Sequence, residues 1–105
     1  MLFVETRAFT ARLRQLISDE QYRLLQLHLA ADPTASPVIP GTGGLRKLRW
    51  AAPGRGKRGG LRLIYFHHAR SDTILLLFAF AKNERADLTS AQRDALRQVV
   101  EREYR

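Results

Sequence analysis

The chain has 105 residues, with 18 Lys or Arg against 10 Asp or Glu, a formal charge of +8 and no cysteine. A disulfide framework and thiolate metal sites are therefore excluded, and 45% hydrophobic residues is too many for a disordered tail. The length predicts one domain, residues 1–105, with no signal peptide and no run long enough to span a membrane; a cytoplasmic protein with a polyanionic partner is expected.

Leu2, Phe3 and Val4 predict a short edge strand. Thr6 is suited to cap a helix whose apolar stripe is Phe9, Leu13, Leu16 and Ile17, with Arg7, Arg12 and Arg14 solvated off that stripe. Ser18 and Gln21 have the spacing of a capping box, and Asp19 and Glu20 suit the positive end of the following helix dipole. Tyr22, Leu25 and Leu29 form one face of this second helix, widened by Leu24 and Leu27. Asp32 and Pro33 stop it. The two helices predict a helical hairpin.

Residues 33–44 hold three prolines and three glycines and read as a loop. From Leu45 to Trp50 the pattern alternates, with Arg46, Leu48 and Trp50 opposed to Leu45, Lys47 and Arg49. Residues 53–60 form a basic, glycine-rich loop. In the next strand Leu61, Leu63 and Tyr65 oppose Arg62, Ile64 and Phe66. His67 to Asp72 is expected to be a polar turn. Thr73 to Ala81 is apolar on both parities, which predicts a central strand covered on both faces. Thr89 and Gln92 make a second capping box, and Leu96, Val99, Val100 and Tyr104 give the stripe of a C-terminal helix. The order is β-α-α-β-β-β-α, an α+β chain with an antiparallel sheet, an N-terminal helical hairpin and a C-terminal helix.

The charge is not spread evenly. Between Asp32 and Asp72 there is no carboxylate, but there are eight cations: Arg46, Lys47, Arg49, Arg55, Lys57, Arg58, Arg62 and Arg70. The ten cations elsewhere are matched by ten carboxylates. A neutral chain with one basic segment has a place to hold a polyanion. Lys47, Arg49 and Arg62 share a face if the strands pair in a favourable register, and Lys82 joins them from the end of the central strand. Four cations on one face repel one another unless an anion compensates.

Other chemistries fit less well. Gly54, Gly56 and Gly59 have the spacing of the dinucleotide fingerprint, but that motif must follow a strand and open a helix, and here it precedes a strand. His67 and His68 are adjacent, so their rings diverge, and His28 reads as structural. The carboxylates lie mostly on helices, none in the basic segment, so no metal site is expected. No serine or cysteine stands in a nucleophile motif.

The order of elements and three runs, GTGGLRKLRW, GRGKRGGLRLIYF and LFAFAKNERADLT, resemble the HigB/RelE-type toxins of bacterial type II toxin–antitoxin systems, in particular the HigB-like branch with its basic Gly-rich loop. The resemblance covers nearly the whole chain. It implies a RelE-like, microbial RNase-like fold and a ribosome-dependent mRNA endonuclease (an mRNA interferase) that acts in the ribosomal A site. It also implies a cognate HigA-like antitoxin with a helix-turn-helix domain, with operator DNA reached only through that antitoxin. The family's basic residues on the second strand correspond to Lys47 and Arg49, and its third-strand arginine to Arg62. Where RelE-type members carry a Lys-Arg pair followed by a tyrosine, this chain has Lys82-Asn83 and Thr89.

These residues lead to metal-independent cleavage through the RNA 2′-OH, without a cofactor. Arg62 is assigned to the phosphoryl oxygens and Lys47 or Lys82 to proton transfer. Arg46, Arg49, Lys57, Arg58 and Asn83 are assigned to the RNA. The alternatives are a non-catalytic RNA- or ribosome-binding module and a ParE-like toxin directed at gyrase.

Overall fold

The computed structural model describes residues 1–51, 60–82, 84 and 87–104. Its elements are β1 (Leu2–Glu5), α1 (Arg7–Leu16), α2 (Asp19–Ala31), β2 (Arg46–Trp50), β3 (Leu61–His68), β4 (Thr73–Ala81) and α3 (Ser90–Tyr104). The sheet order is β1-β4-β3-β2. Strands β2, β3 and β4 are antiparallel neighbours, while β1 runs parallel to β4, so the sheet is mixed rather than wholly antiparallel. The helical hairpin supplies the crossover that a parallel pair requires.

Local chemistry sets the helix ends. The Thr6 hydroxyl accepts the Phe9 N–H at 3.1 Å and donates to the Leu77 carbonyl at 2.7 Å, so the cap of α1 is also its tether to β4. The Ser18–Gln21 box caps α2 and the Thr89–Gln92 box caps α3, each through two reciprocal bonds.

Two cores lie on the two faces of the sheet. Phe9 and Leu13 of α1 and Leu25 and Leu29 of α2 pack on Leu48, Leu63, Tyr65, Ile74, Leu76 and Ala79. On the opposite face Val100 of α3 and Leu88 cover Leu45, Ile64, Phe66, Leu75, Leu77 and Phe80. Each large apolar side chain so buried contributes about 1.5–3 kcal/mol. A register shift between Ile64 and Tyr65 leaves Leu77 without an opposite residue, since Ile64 pairs with Phe78 and Tyr65 with Leu76. This bulge changes the parity of β4 along its length. Ile74 and Leu76 face the helical hairpin before it, and Ala79 faces the same way after it.

Three further expectations need correction. The polar turn is shorter, because β3 runs on through His67 and His68, which pair with Ile74 and Thr73. Leu27 does not widen the core face of α2; it is 60% exposed. Arg12 is not free in solvent but forms an ion pair with Glu84 and a 2.8 Å bond to Gln15. Among the described residues, no helix is long and apolar enough to cross a membrane.

Candidate nucleic-acid interface

The register of β2 and β3 decides which cations meet. Arg49 stands directly opposite Arg62, and Lys47 opposite Ile64. Lys47, Arg49 and Arg62 therefore lie on one face, the face that α3 partly covers. Lys82 follows β4, and its N–H donates to the Gly60 carbonyl at 3.0 Å, which brings the end of β4 beside the start of β3. Arg49, Arg62 and Lys82, with Trp50, Ala51 and Gly60, line a cleft of about 260 Å³.

The cleft is cationic with little internal relief. Arg49, Arg62 and Lys82 form no ion pair among the described residues. Burial, and after it the charge of Arg49, push the Arg62 guanidinium below its ordinary pKa. Like charges directly opposed across two strands are destabilising. An anion in the cleft relieves that cost, and arginine's fork matches a phosphate.

Lys47 is placed differently. Its ammonium lies 3.7 Å from Asp87 Oδ1, and the same oxygen accepts the Leu88 N–H at 2.8 Å. The absence of carboxylates from the basic segment is thus a property of the sequence and not of the space around it. Asp87 arrives from the link between β4 and α3. Sequence reasoning missed it because an acid two residues before a helix cap has no visible tie to a distant strand.

Arg46 has a structural task instead of a place on the cationic face. Its guanidinium donates to the carbonyls of Thr34 and Ser36, at 3.0 and 2.7 Å, and so pins the loop before β2. Tyr65, wholly buried, donates to the Pro33 carbonyl at 2.8 Å beside it. Lys57, Arg58 and Asn83 lie outside the described residues, as does the glycine-spaced run 54–59. Thr89 is engaged as the cap of α3, its Oγ1 accepting the Gln92 N–H at 3.1 Å.

The histidines separate. The His68 ring contacts Ser71 at 2.6 Å and packs on Tyr104 at 4.9 Å, while His67 Nε2 lies 3.9 Å from Asp72. Among the described residues no three His, Cys, Asp or Glu side chains gather to hold a metal. His28, on the last turn of α2, packs on Trp50 with ring centroids 5.3 Å apart. It borders a second and larger cavity, of about 450 Å³, along the outer edge of β2.

Comparison with known proteins gives a consistent picture. Residues 6–104 match the family model described as the RelE toxin of the RelE / RelB toxin–antitoxin system. A mutant of the E. coli toxin RelE in the free state superposes with a TM-score of 0.64 at 14% identity, covering 94% of this chain and 96% of that one. The toxin–antitoxin complex RelBE of E. coli gives 0.58 at 15% identity, over 76% of this chain and 94% of the other. The isolated E. coli RelE toxin gives 0.57 at 15% identity, over 93% and 97%. At these identities the superpositions establish a shared fold.

Proposed function

We propose a function from one premise: the chain belongs to the RelE toxin family of toxin–antitoxin systems. On that premise it is a ribosome-dependent mRNA endonuclease, of the HigB-like branch, that stops translation in the cytoplasm. The observation that carries this reading is the opposed pair Arg49 and Arg62, joined by Lys82 around a cleft that, among the described residues, has no internal counter-ion.

RNA brings its own nucleophile. The 2′-OH attacks the adjacent phosphorus and the bond to the 5′-oxygen breaks, leaving a 2′,3′-cyclic phosphate and a 5′-hydroxyl. One proton leaves the 2′-oxygen and one reaches the departing 5′-oxygen. Arg62, fixed on a strand between two others, supplies charge to the phosphoryl oxygens, an effect of about 3–4 kcal/mol for one well-placed donor. Lys82 is the lysine left for proton transfer, since Lys47 is held by Asp87. Arg49 binds the RNA backbone, with Lys57, Arg58 and Asn83 assigned to the same work from the sequence. No step needs a metal of the protein's own.

The partners follow from the same family. One RelE toxin is known in complex with its antitoxin. By the resemblance to HigB-like toxins, this chain's antitoxin is a HigA-like helix-turn-helix protein that alone carries the pair to operator DNA. Ribosome and message are the targets.

The test is expression without the antitoxin, followed by mapping of message ends. Messages cut to 5′-hydroxyl ends, and left whole by a deoxy substitution at the cut site, are expected. Arrest with whole messages and broken DNA points to gyrase instead. Arrest with whole messages and whole DNA points to a non-catalytic ribosome binder.

A further inference from the structure

We propose that the cavity along the outer edge of β2 is a nucleobase subsite, which takes the base of a nucleotide next to the phosphate held at Arg49 and Arg62. The inference rests on the RNA-cleavage reading and adds to it a place where sequence is read.

The cavity measures about 450 Å³, within the size range of sites that enclose small organic ligands. Its walls include the His28 and Pro37 rings and the buried Leu48, with Ser36 as a polar group and Lys47 and Arg49 as cations. Among the described residues no carboxylate lines it. One flat imidazole and a proline ring over an apolar floor, with cations beside them, suit a planar base attached to a phosphate.

Two residues join it to the cationic cleft. Arg49 lines both cavities. Trp50 lines the cleft, and its ring packs on His28 at an angle of 54°, so it ties the histidine to the cleft wall. A strand of RNA whose phosphate sits on Arg49 therefore has a base-sized space directly beside it.

The wall is also built in advance. Arg46 donates to the carbonyls of Thr34 and Ser36, and Lys47 N–H donates to the Pro37 carbonyl at 3.2 Å. These bonds hold the segment that forms the far side of the cavity. They also argue against a peptide as the occupant. A strand adding to the edge of β2 needs the Lys47 N–H, which Pro37 already holds, and the Leu45 carbonyl, which Ile39 N–H holds at 2.7 Å.

The experiment measures binding of a short single-stranded RNA, made uncleavable by 2′-O-methylation, to the full chain. One abasic site is moved along the RNA, position by position. Loss of a stacked base is expected to weaken binding at least about fivefold at one position and little elsewhere. His28→Ala, at an exposed helical position that alanine suits, is expected to weaken the intact RNA by a similar factor. It should lose nothing more on the RNA abasic at the sensitive position. A flat abasic scan, or a His28→Ala loss that is equal on every RNA, overturns the subsite. The two readings fail separately. Messages cut normally with a flat scan remove the subsite alone, whereas base-dependent binding with no cleavage removes the catalytic reading and keeps the subsite.

Discussion

Lys47 and Asp87 form an ion pair at 3.7 Å, which links β2 to the segment that enters α3. That separation is longer than a hydrogen bond, while a phosphate oxygen on a lysine settles at about 2.7–2.9 Å. A bound phosphate therefore competes for Lys47 on favourable terms. If RNA binds at Lys47, Asp87 is expected to compete with it and to lower affinity for polyanions.

Asp87→Asn keeps an oxygen for the Leu88 N–H but removes the charge. It is expected to bind single-stranded RNA more tightly, by up to about fivefold, the worth of a partly exposed ion pair. One more phosphate contact should steepen the log–log salt slope by about 0.7. In a Lys47→Gln background the gain should vanish. If it persists there, Asp87 acts through its general field and not on Lys47.

Arg49 facing Arg62 predicts a trade between stability and activity. Arg62→Gln removes a like-charge pair, so unfolding in urea should cost about 0.2–1 kcal/mol more than in the parent. Single-turnover cleavage on programmed ribosomes should fall by about 100- to 1,000-fold, with binding far less affected. A variant that loses stability and activity together would show Arg62 to be part of the scaffold.

The parts of this molecule legible from sequence are those fixed by local pattern. Ser18 with Gln21 and Thr89 with Gln92 declare their helices within four residues. The two-sided apolar run of β4 declares its own burial. Lys47, Arg49 and Arg62 were seen as candidates for one face because alternation gives parity, but only the β2–β3 register puts Arg49 against Arg62. Arg46 carries a contact that parity alone does not reveal. Its charge is visible in the sequence, whereas the carbonyls of Thr34 and Ser36 that hold it depend on how the loop folds back. Asp87 reaches Lys47, and His28 reaches Trp50, through tertiary packing, which no spacing rule encodes.

Arg46→Ala should separate scaffold from site. It leaves two carbonyls without their charged donor, at a cost of about 1.5–3 kcal/mol for hydrogen bonds to a charged group. The urea midpoint should drop accordingly. The salt slope of RNA binding should stay the same, because this guanidinium is occupied within the fold. A slope shallower by about 0.7 would place Arg46 on a phosphate instead.

Tyr65 and Tyr22 give the fold an alkaline limit. Burial is the main force that raises the pKa of each phenol. For Tyr22 the bond to Glu5, 2.8 Å long, raises it further, and a phenolate there would face a carboxylate. Tyr65 donates to the Pro33 carbonyl, a bond that a phenolate cannot make. Both groups hold their protons in the folded chain at pH values where the unfolded chain, with phenols near pH 10, has lost them. Their contribution is thus fully present below about pH 10 and is lost as pH rises through the higher folded values. Tyr65→Phe should lower stability by about 1 kcal/mol near neutrality, for the lost hydrogen bond. It should also make the decline above about pH 10 shallower than in the parent. Urea midpoints measured at neutral and at alkaline pH give both quantities. An alkaline decline as steep in Tyr65→Phe as in the parent would mean that Tyr65 ionises freely in the folded state, and that its bond to Pro33 does not hold the loop.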